Sequence, residues 1–367
     1  MQLRSQIPWH YPRTAVAQGL LGPFASGLTQ VQALFAPRRM GKTELVRQDL
    51  TPLAEEAGFT VVYVSFWDAV DSPGDSILRA IGATERQMSS SHSISVAGTG
   101  GSRNVSHERD TETHAVTVSQ ALRAYLDQKS DSPVLLLLDE VQHLATRPAF
   151  EPYLYMLRTV LDEYKGRVYA LFTGSSRDQL LSLFRRRNAP LFSAANTLTL
   201  PDLDSEFVRH MLAVFEQSGS PAIDEEDAIE VFHGLRRVPA HFHNLLQAMK
   251  AAGRNDIKVA AQEFLQQMAD ESDAASVYDG LALIERTLLL RIARNRSAAL
   301  YSDSNKQLLA KELGQEHVAD YQIQHALRRL RRDGLVSNIG HGQYVIEDPE
   351  MHDWLINEFG TVDGRPE

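Results

Sequence analysis

Compact apolar runs alternate with longer mixed segments through the first half of the chain. Residues 31–35, 61–66, 134–138, 168–172 and, more weakly, 197–200 are each of strand length. The third reads Val-Leu-Leu-Leu-Leu with no polar alternation, which predicts a central parallel strand covered on both faces. Between these runs, residues 42–57, 119–128 and 152–164 carry helical spacing. Strand–helix–strand alternation of this kind predicts an open, doubly wound α/β sheet sandwiched by helices.

From Asp204 the strand signal fades. Residues 205–217, 225–235, 239–252 and 259–270 read as helices, punctuated by Gly219-Ser220-Pro221 and Gly253-Arg254-Asn255. They predict a small helical lid, with residues 271–276 as its exit linker. Residues 279–294, 304–313 and 317–332 then read as three helices. Two short strands flank Gly340-His341-Gly342, and Asp348-Pro349 opens a last helix as N-cap and first-turn proline. That order predicts a winged helix-turn-helix. The expected organisation is a lead-in (1–28), an α/β core (29–203), a lid (204–272) and a winged-helix domain (273–367). Residues 89–113 stand apart: only Ile94, Val96 and Val105 are strongly apolar. They read as a surface insertion, or as a hairpin that touches a partner or nucleic acid.

Composition narrows the chemistry. The 367 residues are 43% hydrophobic and 23% charged, as in ordinary globular proteins. With no cysteine, disulfides, thiolate nucleophiles, iron–sulfur clusters and cysteine-bound zinc are excluded. No apolar run reaches the roughly 18–20 residues that span a bilayer. Arg4, Gln6, His10 and Arg13 break up the start where a secretory signal would need an apolar stretch, so a cytoplasmic protein without membrane contact is expected. Thirteen histidines include no H-E-x-x-H pair, and neither G-x-S-x-G nor G-x-G-x-x-G is found, which argues against zinc, serine-hydrolase and dinucleotide chemistry.

The strongest chemical signal is Ala36-Pro37-Arg38-Arg39-Met40-Gly41-Lys42-Thr43, set between the first strand and a helix that continues through Glu44. It follows G-x-x-x-x-G-K-[ST], with Ala36 in place of the first glycine. Gly41 lets the backbone curl so that successive N–H groups point at phosphate oxygens, Lys42 reaches the β- and γ-phosphates, and Thr43 offers its hydroxyl to Mg²⁺. The second half of such a site is a carboxylate at the end of a neighbouring strand. The 134–138 run leads straight into Asp139-Glu140: Asp139 for the metal, Glu140 as general base towards the attacking water.

These motifs, with a strand–Thr173-Gly174-Ser175 segment, resemble the AAA+ class of ATPases. Asp139-Glu140-Val141-Gln142-His143-Leu144, Gly174-Ser175-Ser176-Arg177 and Asn188-Ala189-Pro190 are similar to the archaeal-type ATPase group, which borders the STAND ATPases and the archaeal replication initiators. The resemblance implies a sensor hydroxyl at Thr173, with Ser175 as the competing choice, and an arginine finger acting on a neighbouring subunit among Arg185, Arg186 and Arg187. The other reading of that triplet is a solvated helix end. The resemblance also implies a lid arginine, Arg236 or Arg237, closing over the γ-phosphate, and a homo-oligomer. Residues before 28 lack the Gly-Arg-Glu entry of many relatives, which leaves the adenine contacts unassigned.

On the helix at 317–332, Ile323, Ala326, Leu327 and Leu330 form the buried stripe, while His325, Arg328, Arg329 and Arg332 repeat that spacing about 200° around. This outward basic row suits double-stranded DNA; a plain solvated face or a protein-docking surface are the other readings. The formal charge of −10, from 37 basic and 47 acidic residues, argues only against positive potential spread over the whole surface. The expectation is therefore an Mg²⁺-dependent ATPase coupled to DNA or a partner through the winged helix. Its rivals are a signalling switch of defence or mobile-element type that docks a separate effector protein, and an ATPase that assembles rings or filaments on DNA.

Overall fold

The computed structural model describes residues 9–83, 103–185, 189–191, 194–271, 273–294, 299–340 and 342–360. A first helix, α1 (Thr14–Ala25), leads into β1 (Val31–Phe35). Helix α2 starts at Lys42–Glu44, widens into a π-wound stretch at Leu45–Leu50 and finishes at Thr51–Glu56. Pro52 gives a reason for the widening: it has no N–H to donate, and in a regular α-helix its ring would clash with the carbonyl four residues back. There follow β2 (Thr60–Ser65), α3 (Pro73–Ala80), α4 (Arg103–Gln128), β3 (Val134–Asp139), α5 (Glu151–Glu163), β4 (Val168–Gly174), α6 (Arg177–Arg185) and β5 (Asn196–Thr199).

The strands form one sheet in the order β2-β3-β4-β1-β5, and every neighbouring pair is parallel. The unbroken apolar run of β3 is accounted for by burial on both faces. Val134, Leu136 and Leu138 join the core beneath α3, α4, α5 and α6, while Leu135 and Leu137 join the core beneath α1 and α2. The period of two survives, but each face has its own apolar partner, so no polar residue is needed.

Several boundaries differ from the sequence reading: residues 274–279, read partly as linker, form a short helix, and the helix read from 279 starts at Leu283. Helix α4 begins at Arg103, not near 119, so the polar segment is helical from 103 onward. Among its described side chains, the first buried ones are His114 and Ala115. Until the chain reaches the core, the helix has no apolar stripe for a pattern search to find. The rest of that segment, 89–102, lies outside the described residues.

The lid comprises α7 (Ser205–Gln217), α8 (Glu225–Gly234), α9 (Pro239–Ala252) and α10 (Ile257–Glu271) around its own core. Trp9 and Tyr11 from the lead-in also pack there. The last unit holds α11 (Ala274–Asp279), α12 (Leu283–Arg294), α13 (Asp303–Leu313), α14 (Asp320–Arg332), the antiparallel pair β6 (Val336–Gly340) and β7 (Gln343–Ile346), and α15 (Pro349–Phe359). Its core is separate and includes the expected stripe Ile323, Ala326, Leu327 and Leu330. Among the described residues, no helix is long and apolar enough to cross a membrane.

Candidate nucleotide site

Parallel pairing brings the site together. Register matches Ser65 with Asp139, and Leu34 and Phe35 with Thr173 and Gly174. The loop after β1, the acidic pair after β3 and the Thr-Gly-Ser segment after β4 therefore leave the sheet at one carboxyl edge, where open α/β sheets bind ligands. A cavity of about 860 Å³ lies there, lined by residues 37–45, Asp139, Glu140 and Ser175 on one side and by Trp9, Tyr11, Phe207, Met211 and His243 on the other.

At the loop, Gly41 takes φ 75°. A Cβ built there would lie 3.4 Å from Arg13 Nη2, an ordinary contact, so it is the conformation that favours glycine. Arg13 is itself buried and donates to the Met40 carbonyl at 2.8 Å. Ala36, in the place of the pattern's first glycine, is fully buried and its N–H donates to the Gly174 carbonyl at 3.3 Å. Arg38 stacks over the Trp67 ring, 5.4 Å from its centroid.

Lys42 is buried, and its Nζ lies 2.6 Å from Glu140 Oε1. The Thr43 hydroxyl donates to Asp139 Oδ2 at 2.7 Å. The residues read as metal-holding thus sit side by side. A hydroxyl and a carboxylate oxygen, with phosphate oxygens and waters supplying the rest, suit the octahedral oxygen shell of Mg²⁺, so the donor set fits that ion. Among the described residues, no cluster of three or more histidines and acids offers an alternative metal site.

Asp139 and Glu140 are held differently. The Asp139 carboxylate accepts from Thr173, from Thr43 and, at 2.9 Å, from the Tyr63 hydroxyl. Burial and then the Asp139 charge push the Tyr63 hydroxyl well above its usual range, which keeps it a donor. Glu140 adopts a left-handed backbone, φ 57°, which swings its side chain back across the strand ends. Oε1 pairs with Lys42, while Oε2 accepts from Gln142 and from Ser175 Oγ at 2.8 Å. Burial would raise its pKa, but the Lys42 charge and these hydrogen bonds outweigh it and hold Glu140 below the ordinary carboxylate range.

Thr173 is fully buried and binds Asp139; it does not line the cavity. Ser175 does, and it binds Glu140, so the competing choice is the hydroxyl that faces the cavity. Neither lid arginine lines it. Arg236 pairs with Asp353 at 2.6 Å, and Arg237 is exposed; both have positive φ. Arg39 lines the cavity rim, but its guanidinium pairs with Glu350. Arg185 ends α6; its side chain, Arg186 and Arg187 lie outside the described residues.

Residues that motif reading passed over complete the site. His10 bridges Glu44 and Asp49 at 2.9 and 2.8 Å, and the Arg13 N–H also donates to Asp49. His10 and Arg13 bracket Tyr11, tying the lead-in to α2. Gln142, buried between Glu140 and Ser175, sits only two positions past the acidic pair. Its polarity on an otherwise buried turn was the available signal.

In the winged helix, His325, Arg328, Arg329 and Arg332 are exposed on α14 as expected. Arg329 pairs with buried Glu285 at 3.2 Å, and Arg332 pairs with Asp333 at 2.8 Å.

No family model and no curated protein matches the sequence. Solved structures do match the fold. A Walker-type ATPase of Pyrococcus abyssi superposes with TM-score 0.59 at 14% identity, covering 95% of this chain and 99% of that one. The fold is that of an AAA+ ATPase. The Aeropyrum pernix ORC2 protein, solved as ADPNP–ADP complexes, gives TM-score 0.59 at 18% identity over 97% of this chain and 96% of its own. Its ADP form gives 0.56 at 17% identity, covering 94% and 93%. The shared fold thus spans nearly the whole chain.

Proposed function

We propose that this chain binds ATP with Mg²⁺, hydrolyses it to ADP and phosphate, and passes the nucleotide state to its winged helix. The observation that carries this reading is the quartet Lys42, Thr43, Asp139 and Glu140, joined by contacts of 2.6 and 2.7 Å at the carboxyl edge of a parallel sheet. Loop N–H groups and the start of α2 receive the phosphates. Mg²⁺, held by Thr43 and through Asp139, would screen the negative charge of the transferring phosphoryl group. Lys42, leaving Glu140 for the phosphate tail, frees Oε1, while Gln142 and Ser175 keep Oε2 fixed. Glu140 then faces the attacking water. The water oxygen bonds to the γ-phosphorus, the bond to the β,γ-bridging oxygen breaks, and the water's proton passes to Glu140.

Lys42→Ala is expected to lose nucleotide binding, measured by titration with a fluorescent ATP analogue. Glu140→Gln is expected to bind normally and turn over about 10²–10⁴-fold more slowly. Wild-type turnover in either variant sinks the assignment. The aromatic-lined far side of the cavity, from Trp9 to His243, is the adenine side of this reading.

For the winged helix, duplex DNA is the favoured ligand, because Tyr321, His325 and Arg328 share one exposed face of α14 at the helical i, i+4, i+7 spacing. Arg329 and Arg332 are partly neutralised by their acidic partners, and this favours a protein surface as the second reading. Affinity that falls steeply with salt supports DNA; a flat response, with ATP turnover changed by an effector protein, supports the switch. An arginine from 185–187 working on a second copy is part of the proposal. Turnover that does not depend on protein concentration, and survives replacement of all three, removes it.

A further inference from the structure

Three separate parts of the nucleotide-site frame reach for one short acidic stretch of the winged-helix unit. Arg39 of the phosphate loop pairs with Glu350 and lies 4.0 Å from Asp348. Arg236, in the turn between α8 and α9, pairs with Asp353 at 2.6 Å and bonds His352. Ser176, just past the Thr-Gly-Ser segment, donates to Glu347 at 2.7 Å. The four acids fall within residues 347–353, where β7 gives way to the first turns of α15. Buried His241 of α9 lies 3.8 Å from Glu350.

A carboxylate presents two oxygens to a guanidinium much as a phosphate edge does. Arg39 sits beside Lys42's loop in a strained left-handed backbone, φ 66°, and Arg236 does so in the lid, φ 57°. Both guanidinium groups pair with acids at the start of α15, and Arg39 also lines the nucleotide cavity. Drawing either guanidinium onto a terminal phosphate would weaken its pairing with these carboxylates. Resting on the ATP reading above, we propose that the acidic start of α15 is a built-in competitor for the γ-phosphate. Its carboxylates clasp Arg39 and Arg236 and hold the winged helix against the core, and a γ-phosphate recruits one or both arginines and loosens the clasp. Linkage makes the effect reciprocal: whatever pulls the winged helix away, DNA or a protein, raises ATP affinity by the same factor.

The seam itself suits such a device. It encloses a cavity of about 540 Å³ lined by Arg38, Gln142, Ser176, Glu347 and Glu350 together with Val277, Leu335 and Met351, so the contact is partly polar and not a closed apolar joint. Polar seams of this kind separate at lower cost than apolar ones.

The chain has no cysteine, so Glu56→Cys and Glu316→Cys place dyes at chosen exposed positions on the core and the winged helix. Energy transfer between them and titration with a non-hydrolysable ATP analogue or ADP make the test. The analogue is expected to change the dye separation, and ADP to leave it unchanged. The neutral pair Glu350→Gln with Asp353→Asn should show the changed separation before any nucleotide is added and bind the analogue more tightly, by about 5-fold or more, with ADP affinity unaltered. Glu350→Gln alone, a milder change, should shift both readouts in the same direction. Unchanged affinity and separation in these variants, while wild type binds the analogue and Lys42→Ala does not, overturn the clasp alone. A wild-type chain that binds neither nucleotide overturns the ATP reading and the clasp together.

Discussion

Glu140 occupies a left-handed conformation that a non-glycine residue adopts only at a cost, and its partners explain why it stays there: Lys42, Gln142 and Ser175 all bind its carboxylate. The two acids of the pair were legible in sequence as an apolar strand running into Asp-Glu. The division of the two hydroxyls between them was not, because Thr173 and Ser175 point to different depths of the same edge and only the sheet register sets those depths. Thr173→Val keeps the shape but strips a buried Asp139 oxygen of its donor; stability should fall by about 1–3 kcal/mol in urea unfolding. His10 is a second residue-scale test. Hydrogen bonds donated to Asp49 and then to Glu44 raise its pKa from 6.5 to about 9. A raised value means that its stabilisation is complete below pH 6.5 and is lost as pH rises through about 9. The stability gap between wild type and His10→Gln should be widest near pH 6 and narrow steadily to pH 9.5. A gap that widens with pH contradicts the bridge.

Elements were read well where packing and periodicity agree. Strand β3, helix α14 and the α15 cap by Asp348, which accepts from the Glu350 N–H at 2.9 Å, all follow from local pattern. Helix α4 was read short because its first turns carry no apolar stripe. The junction of α3, α4 and α5 could not be read at all. There His114 bonds the Tyr153 hydroxyl at 2.7 Å, and Gly74 allows the close approach. A Cβ at Gly74 would meet His114, Tyr153 and Val118 at 2.8–2.9 Å. Gly74→Ala should therefore cost about 1–3 kcal/mol through overpacking, whereas the same change at Gly19, where nothing lies within 4 Å, should stabilise or leave α1 unchanged. Equal effects at the two sites would show that the α3–α4 contact is looser than described. Arg286, Arg291 and Arg294, positive charges that precede the basic row in sequence, tie the winged-helix unit together: Arg286 to backbone carbonyls, Arg291 to Asn305 and Arg294 to the end of α15.

At the scale of the whole molecule, the core, lid and winged helix have separate apolar cores; Val238 of the lid also packs into the core beneath α1 and α2, while the winged helix meets Arg39 and Arg236 through ion pairs. His325→Ala with Arg328→Ala should weaken DNA binding and reduce the slope of log affinity against log salt by about 1, with nucleotide binding unchanged; an unaltered slope removes α14 from the DNA-facing surface. The sequence by itself determined the β–loop–α phosphate motif, the acidic pair, the layered α/β core and the order of the three units, because each rests on neighbours within a few residues or on a local period. Only the tertiary structure decided which hydroxyl faces the cavity, how the lead-in is tied to α2 by His10 and Arg13, and that Arg39 and Arg236 turn to carboxylates more than a hundred residues away. Those choices depend on sheet register and domain docking, and neither leaves a periodic trace in the chain.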